Sequence, residues 1–176
     1  MKILAFGASN YSKSINKKLA VYIAEQFEEE MKVLDLNDYE MPIYSVDREQ
    51  KGGVPAKAIE FANKIDESDL LVISLAEYNG TYSAAFKNIF DWVSRIPNRK
   101  AFNHKKIFLA ATSPGGRGGQ TILEGAKRIF PFHGGEVVEE FSLPFFEKNF
   151  IENQGIVNKE KIEELRLKVS KIKELF

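Results

Sequence analysis

Three short stretches combine residue types that can do chemistry, and each follows an apolar run. The first is Gly7-Ala8-Ser9-Asn10-Tyr11-Ser12-Lys13-Ser14-Ile15-Asn16, ahead of a helical pattern marked by Leu19, Ile23 and Phe27. Hydroxyls and carboxamides gather there, where a helix start leaves backbone N–H groups without partners and carries the positive end of the dipole. Hydroxyls donate to phosphate oxygens, small side chains let the backbone curl around an anion, and the helix end supplies partial positive charge without an arginine. The loop therefore suits a phosphate. A helix cap accounts for one of Ser9, Ser12 and Ser14 but not for all of them. The dinucleotide fingerprint G-x-G-x-x-G and the Gly-Lys-Ser/Thr ending of a Walker loop are both absent, which favours a mononucleotide phosphate.

The second stretch is Glu77-Tyr78-Asn79-Gly80, after the unbroken apolar run Leu70-Leu71-Val72-Ile73. Asn and Gly enter left-handed conformations that a Val or Leu resists, so the chain turns sharply. Tyr78 offers a flat face to a planar ring, and Asn79 and Gly80 offer backbone groups to its polar edge; the plainer alternative is a tight turn whose Tyr packs on a neighbour. The third stretch is Thr112-Ser113-Pro114-Gly115-Gly116-Arg117-Gly118-Gly119, the densest glycine cluster in the chain. It lets backbone amides approach a ligand, with Arg117 adding charge; the alternative is a flexible connection.

The elements that position these loops follow from periodicity. Segments Ile3–Phe6, Met31–Leu36, Leu70–Ile73, Lys105–Ala111 and Val137–Phe141 read as strands of a parallel sheet, the unbroken apolar run Leu70–Ile73 as the one covered on both faces. Between them lie helical patterns. The first continues past Phe27 to the acidic run Glu28 to Glu30. The second starts at Pro55 with Ile59, Ala62 and Ile65, and the third carries Ala85, Ile89, Trp92, Val93 and Ile96 behind a Ser83 cap. A fourth carries Ile122, Leu123, Ala126 and Ile129, and a last one from about Lys159 carries Ile162, Leu165, Val169, Ile172 and Leu175. Residues 38 to 53 form a long polar connection that borders the site or an oligomer contact. The alternation predicts a doubly wound α/β sandwich: a five-stranded parallel sheet in order 2-1-3-4-5 with helices on both faces. All three loops then leave carboxyl ends of strands, where such sheets bind ligands.

Composition narrows the classes further. The 176 residues suit one domain spanning 1–176. Lys and Arg total 25 against 25 Asp and Glu, so no global charge directs the chain to nucleic acid or an anionic membrane. The absence of cysteine excludes disulfides, thiolate-held iron–sulfur clusters, c-type haem and cysteine nucleophiles. His104 and His133 stand in no metal-ligand spacing. With neither a signal-peptide pattern nor an apolar run of membrane length, a cytoplasmic protein is expected.

Taken together, the Ser-rich loop, Glu77-Tyr78-Asn79-Gly80 with Lys87-Asn88-Ile89-Phe90-Asp91-Trp92 behind it, and Ser113 to Gly119 resemble the NAD(P)H-dependent FMN reductase family of flavodoxin-like proteins, which includes quinone, azo-dye and chromate reductases. The resemblance implies a flavodoxin-like sandwich and an enzyme that uses FMN and NAD(P)H. It implies hydride transfer from nicotinamide to flavin N5, then electrons passed to free flavin, a quinone or a similar small acceptor. It further implies that Ser9, Ser14 and Asn16, with the amide of Ile15, hold the FMN phosphate, that Glu77, Tyr78, Asn79 and Gly80 line the isoalloxazine, and that Ser113, Gly115 and Gly116 meet its pyrimidine edge. No side chain is required as a catalytic acid or base, and no metal is implied. Two positions depart from the family pattern: its proline before Glu is Ala76, and the arginine between its phosphate-binding serines is Tyr11, which removes a fixed positive charge. A homodimer or homotetramer is implied, with Phe86, Phe90 and Trp92 suited to an interface or to a covered core face. The same FMN site would serve a non-catalytic electron carrier or a flavin- or quinone-sensing module. A phosphoacceptor receiver domain is excluded, because Gly7-Ala8-Ser9 and Ser74-Leu75-Ala76 stand where it needs carboxylates.

Overall fold

A computed structural model describes residues 1–176. In chain order the elements are β1 (Lys2–Ala8), α1 (Ile15–Glu25), β2 (Glu30–Leu34), a 3-10 turn at Leu36–Tyr39, α2 (Val46–Gly52), α3 (Ala56–Asp66) and β3 (Leu70–Leu75). They continue with β4 (Glu77–Tyr78), β5 (Thr81–Tyr82), α4 (Ala84–Val93), β6 (Lys105–Thr112), α5 (Gln120–Ile129) and β7 (Gly135–Leu143). The chain ends with α6 (Phe146–Asn149), β8 (Phe150–Ile151), β9 (Gly155–Ile156) and α7 (Lys159–Lys173). β2-β1-β3-β6-β7 form one parallel sheet of five strands, the 2-1-3-4-5 order expected from the alternation.

Side-chain alternation sends each central strand into two cores. Leu4, Phe6, Leu71 and Ile73 point to a face covered by α3, α4 and α5, whereas Ile3, Ala5, Leu70 and Val72 point to the face covered by α1 and α7. Both faces of β1 and β3 are therefore apolar, and their sequences read as runs rather than as alternations. Each fully buried Leu, Ile or Phe contributes about 1.5–3 kcal/mol. Leu165, Val169 and Ile172 bury the inner face of α7, while Ile162 near its start and Leu175 just past its end, in phase with them, stay exposed.

Several boundaries and faces differ from the sequence reading. α1 stops at Glu25 instead of continuing through the acidic run; Glu28 takes a φ of 57° to reverse the chain, and Glu30 already belongs to β2. Within the polar connection, Ser45 accepts the Arg48 amide and starts α2, whose Asp47 and Glu49 near the start and Lys51 near the end suit the helix dipole. No residue of α2 is buried. Phe86, Phe90 and Trp92 do not face outward: all of them sit in the core, where Phe86, Phe90 and Phe130 form an aromatic cluster, because the apolar stripe of α4 turns toward the sheet. No helix is long and apolar enough to cross a membrane.

Candidate functional site

The loop after β1 is wound by its own polar groups. Ser9 N donates to Gly7 O at 2.8 Å, Tyr11 N to Ser9 Oγ at 3.2 Å, and Ser14 N to Tyr11 O at 3.0 Å. Ser14 is the N-cap of α1 and accepts the Lys17 amide at 3.2 Å. Ser9 and Ser14 are only 5% and 4% exposed, yet each hydroxyl is engaged as an acceptor alone and keeps its O–H proton to donate. The amides of Ile15 and Asn16, first in α1, bond to no other protein group. Gly7 makes this cradle possible, since a Cβ there would collide with the backbone of Asn16 and Lys17 where α1 closes on β1. The donors are neutral: Lys17 Nζ is committed to Asp35 at 2.5 Å, and that bond, with the Asn37 amide, holds the Asp35 carboxyl below its ordinary range. Tyr11 is exposed beside the loop. A helix start with free amides and two nearly buried donor hydroxyls binds a phosphate by hydrogen bonds and dipole.

The loop after β3 is a two-residue hairpin. Glu77 pairs with Tyr82 and Tyr78 with Thr81, and Asn79 (φ 53°) and Gly80 (φ 78°) take the left-handed conformations of a type I′ turn. Tyr78 is 51% exposed at its tip. Tyr82 stands behind it against Phe86 and Phe130, and burial without a partner pushes its hydroxyl pKa up to about 12, so it stays neutral. One oxygen of the Glu77 carboxylate, Oε2, accepts the Ile122 amide at 3.2 Å, capping α5, whose own N-cap Gly119 has no side chain to do so. Glu77 is thus a brace between two loops. Ser83 caps α4 as expected, accepting the Phe86 amide, and its hydroxyl donates to Ala8 O at 2.8 Å.

The glycine loop after β6 divides into two pairs. Gly118 (φ 57°) and Gly119 (φ 76°) are buried; a Cβ on the first would collide with Ser142 Oγ and one on the second would lie 2.6 Å from Ala111 Cβ. Gly115 and Gly116 are exposed, and nothing lies within 4 Å of a Cβ built on Gly115. The protein itself gives Gly115 no steric reason to be glycine. The amides of Gly115, Gly116 and Arg117 bond to no protein group, and the Ser113 hydroxyl donates to Gly115 O at 3.1 Å. Phe145, at φ 49°, donates its amide to Gly115 O and lays its ring on Gly116.

β1, β3 and β6 are parallel neighbours, so all three loops leave one edge of the sheet, at the switch point where the chain moves from β1 to β2 on one side and then to β3 on the other. One side chain ties them together. Asn16 Oδ1 accepts Ser74 Oγ at 2.8 Å and Thr112 N at 3.0 Å, and its Nδ2 donates to Thr112 O at 3.2 Å. The tie takes both acceptor sites of the Asn16 carboxamide and one of its two donor N–H groups, and the Asn16 backbone amide stays free at the start of α1. Ser74 and Thr112, buried partners in the tie, were invisible to sequence reasoning. The available signal was Asn16 itself, a polar residue in phase with Leu19, Ala20 and Ile23 on the buried stripe of α1. His104 and His133 lie where β6 and β7 begin, at the opposite edge.

With that geometry in hand, comparison with known proteins is direct. A family model described as NADPH-dependent FMN reductase matches residues 1–148. The chain is 30% identical to a quinone reductase of Escherichia coli (strain K12) over 115 residues, which cover 65% of this chain and 59% of that protein. It is 30% identical to an NADPH azoreductase of Bacillus sp. (strain OY1-2) over 123 residues, covering 70% and 65%. The chain thus spans under two thirds of each of these relatives. In three dimensions it superposes on FerB, a flavoenzyme NAD(P)H:(acceptor) oxidoreductase from Paracoccus denitrificans, with a TM-score of 0.80 at 20% identity, covering 97% of this chain and 93% of that one. At that identity the likeness speaks for the fold.

Proposed function

The chain belongs to the NADPH-dependent FMN reductase family, and from that premise we propose that it reduces free flavin, a quinone or a similar small acceptor at the expense of NAD(P)H, on FMN held at the rim where β1, β3 and β6 end. It is an NAD(P)H-dependent oxidoreductase whose cofactor is FMN, with NAD(P)H as the co-substrate that donates electrons. The observation that carries the assignment of the site is the convergence of three loops with unspent donors on one sheet edge.

The donor set fits FMN. Ser9 and Ser14 hydroxyls and the Ile15 and Asn16 amides match a phosphate, Gly115 leaves open space where a ring edge would approach, and Tyr78 gives a flat exposed face. When bound there, FMN would supply the redox chemistry, a hydride acceptor at N5 for the nicotinamide and an electron donor to the second acceptor. The residues bind and orient. In this reading Ser9, Ser14, Ile15 and Asn16 hold the phosphate with Tyr11 beside it, and Glu77, Tyr78, Asn79 and Gly80 line the ring through backbone and the Tyr78 face. Ser113, Gly115 and Gly116 turn amides toward the pyrimidine end, where negative charge develops on reduction, as preorganised dipoles do. No side chain is assigned as acid or base, because the chemistry belongs to the cofactor; both histidines lie at the far edge.

We read residues 1–176 as one such domain, cytoplasmic, and assembled as a homodimer or homotetramer. Because Phe86 and Trp92 are buried, that contact falls to exposed apolar side chains such as Ile43, Val46 and Phe132. The test is a visible spectrum of the purified protein with added FMN, followed by NADPH consumption with a quinone. Flavin binding with quinone-dependent NADPH oxidation is expected. Flavin binding without NADPH oxidation would make the chain an electron carrier, and no flavin binding would overturn the site.

A further inference from the structure

A concavity of about 520 Å³ lies away from the hairpin and glycine loops. It opens beside the loop after β1 and runs down α1, with the β8–β9 hairpin as its opposite wall. From Ser14 to Glu25 that is about 16 Å of helix at 1.5 Å per residue, far longer than a lone anion needs. Nothing proposed for FMN uses it beyond its mouth.

Its chemistry changes along its length. At the mouth, Lys13 is exposed and paired with no carboxylate, whereas Lys17 is held by Asp35 and Lys18 reaches across to Glu152 at 3.2 Å. Midway, Tyr22 meets Phe150 edge-on, with centroids 5.6 Å apart, and lies so close to Gly155 (φ 81°) that any Cβ there would strike the ring. The hairpin is thereby pinned with an aromatic surface facing the groove. At the far end, Glu25 carries a carboxylate in no ion pair, and Asn153 and Gln154 line the hairpin side. Cation first, aromatic next, carboxylate last is the complement of a molecule with phosphate at one end, a planar base in the middle and an exocyclic amine beyond it.

We infer that this groove takes the adenosine half of NADPH, its phosphates at Lys13, the one mouth lysine in no ion pair, and its adenine against Tyr22, so that the nicotinamide half leaves the mouth toward the rim. The inference rests on the proposed NAD(P)H oxidation and adds the place and the chemistry of co-substrate recognition. A phosphate alone would leave the aromatic and acidic parts of the groove unused.

The test uses the FMN-loaded protein and calorimetric titration with adenosine 2′,5′-bisphosphate, AMP and riboflavin, in wild type, Lys13→Gln and, as the control for a lysine already paired, Lys18→Gln. Wild type should bind the bisphosphate more tightly than AMP. Lys13→Gln should weaken it roughly tenfold or more, as losing a charge-assisted bond to phosphate does, and Lys18→Gln should weaken it less. In Lys13→Gln the KM for NADPH should rise with kcat unchanged, and FMN affinity should hold. Absence of bisphosphate binding, equal binding in the two variants, riboflavin occupying the groove in its place, or a matching loss of FMN affinity in Lys13→Gln would each overturn the assignment. If wild type consumes NADPH but binds no bisphosphate, the groove assignment alone fails; if it consumes none, the functional reading fails with it.

Discussion

Replacing Asn16 with alanine should cost the protein its fold stability before it costs a phosphate contact. The carboxamide makes three buried bonds, to the Ser74 hydroxyl and to both the amide and the carbonyl of Thr112. Asn16→Ala leaves those groups short of a partner between strands that admit little water. At roughly 1–2 kcal/mol for each stranded group the loss is about 3–6 kcal/mol. Alanine's better helix propensity returns only a few tenths of a kcal/mol, roughly an order of magnitude less. Against a total of about 5–15 kcal/mol that is a large fraction, and for a chain of this size it corresponds to a fall in Tm of about 6–24 °C. The assay is thermal unfolding of the apo protein, paired with flavin titration at a temperature where the variant is folded. Ser74→Ala removes one bond of the same tie, so the double variant should lose less than the sum of the singles. An Asn16→Ala protein that melts within about 2 °C of wild type while failing to bind FMN would refute the reasoning, because the side chain would then be a ligand rather than a tie.

Ser14→Asp keeps a good N-cap for α1 but sets a second anion against the phosphate, so Tm should hold while FMN binding is abolished in a flavin titration; unchanged affinity would place the phosphate elsewhere. Gly118→Ala forces a left-handed alanine into Ser142 and should destabilise by about 1–3 kcal/mol, whereas Gly115→Ala meets only open space and should leave the melt unchanged while weakening FMN. Equal melts for the two glycine variants would count against this division of the loop. Burial and the nearby Lys100 charge hold the His133 pKa below its ordinary 6.5, so the unfolded chain binds the proton more readily than the native one. Stability is then complete above pH 6.5 and declines as pH falls through the lowered native pKa. Urea midpoints at about pH 7.5 and pH 5.5 should differ less for His133→Gln than for wild type, and an equal difference would discard this residue as the source.

The order of strands, the placement of three loops at their carboxyl ends, the Ser83 cap and the left-handed turn at Asn79-Gly80 were legible in the chain alone. Each is written in local spacing: apolar runs for strands buried on both faces, turn residues with only a few permitted conformations, a hydroxyl just before a helical stripe. The family resemblance was carried by those same loops. The direction in which a side chain spends its hydrogen bonds was not local. Asn16 finds Thr112 96 residues away and Glu77 finds Ile122 45 residues away, so the first became a tie and the second a brace only when parallel pairing brought β1, β3 and β6 side by side. Four glycines look alike in sequence, and only the approach of Ser142 and Ala111 separates Gly118 and Gly119, needed by the fold, from Gly115, bare toward solvent. The aromatic residues of α4 fit either face of a helix on paper; the sheet beneath them decided, since burying Phe86, Phe90 and Trp92 against it removes more apolar surface from water than any exposed arrangement.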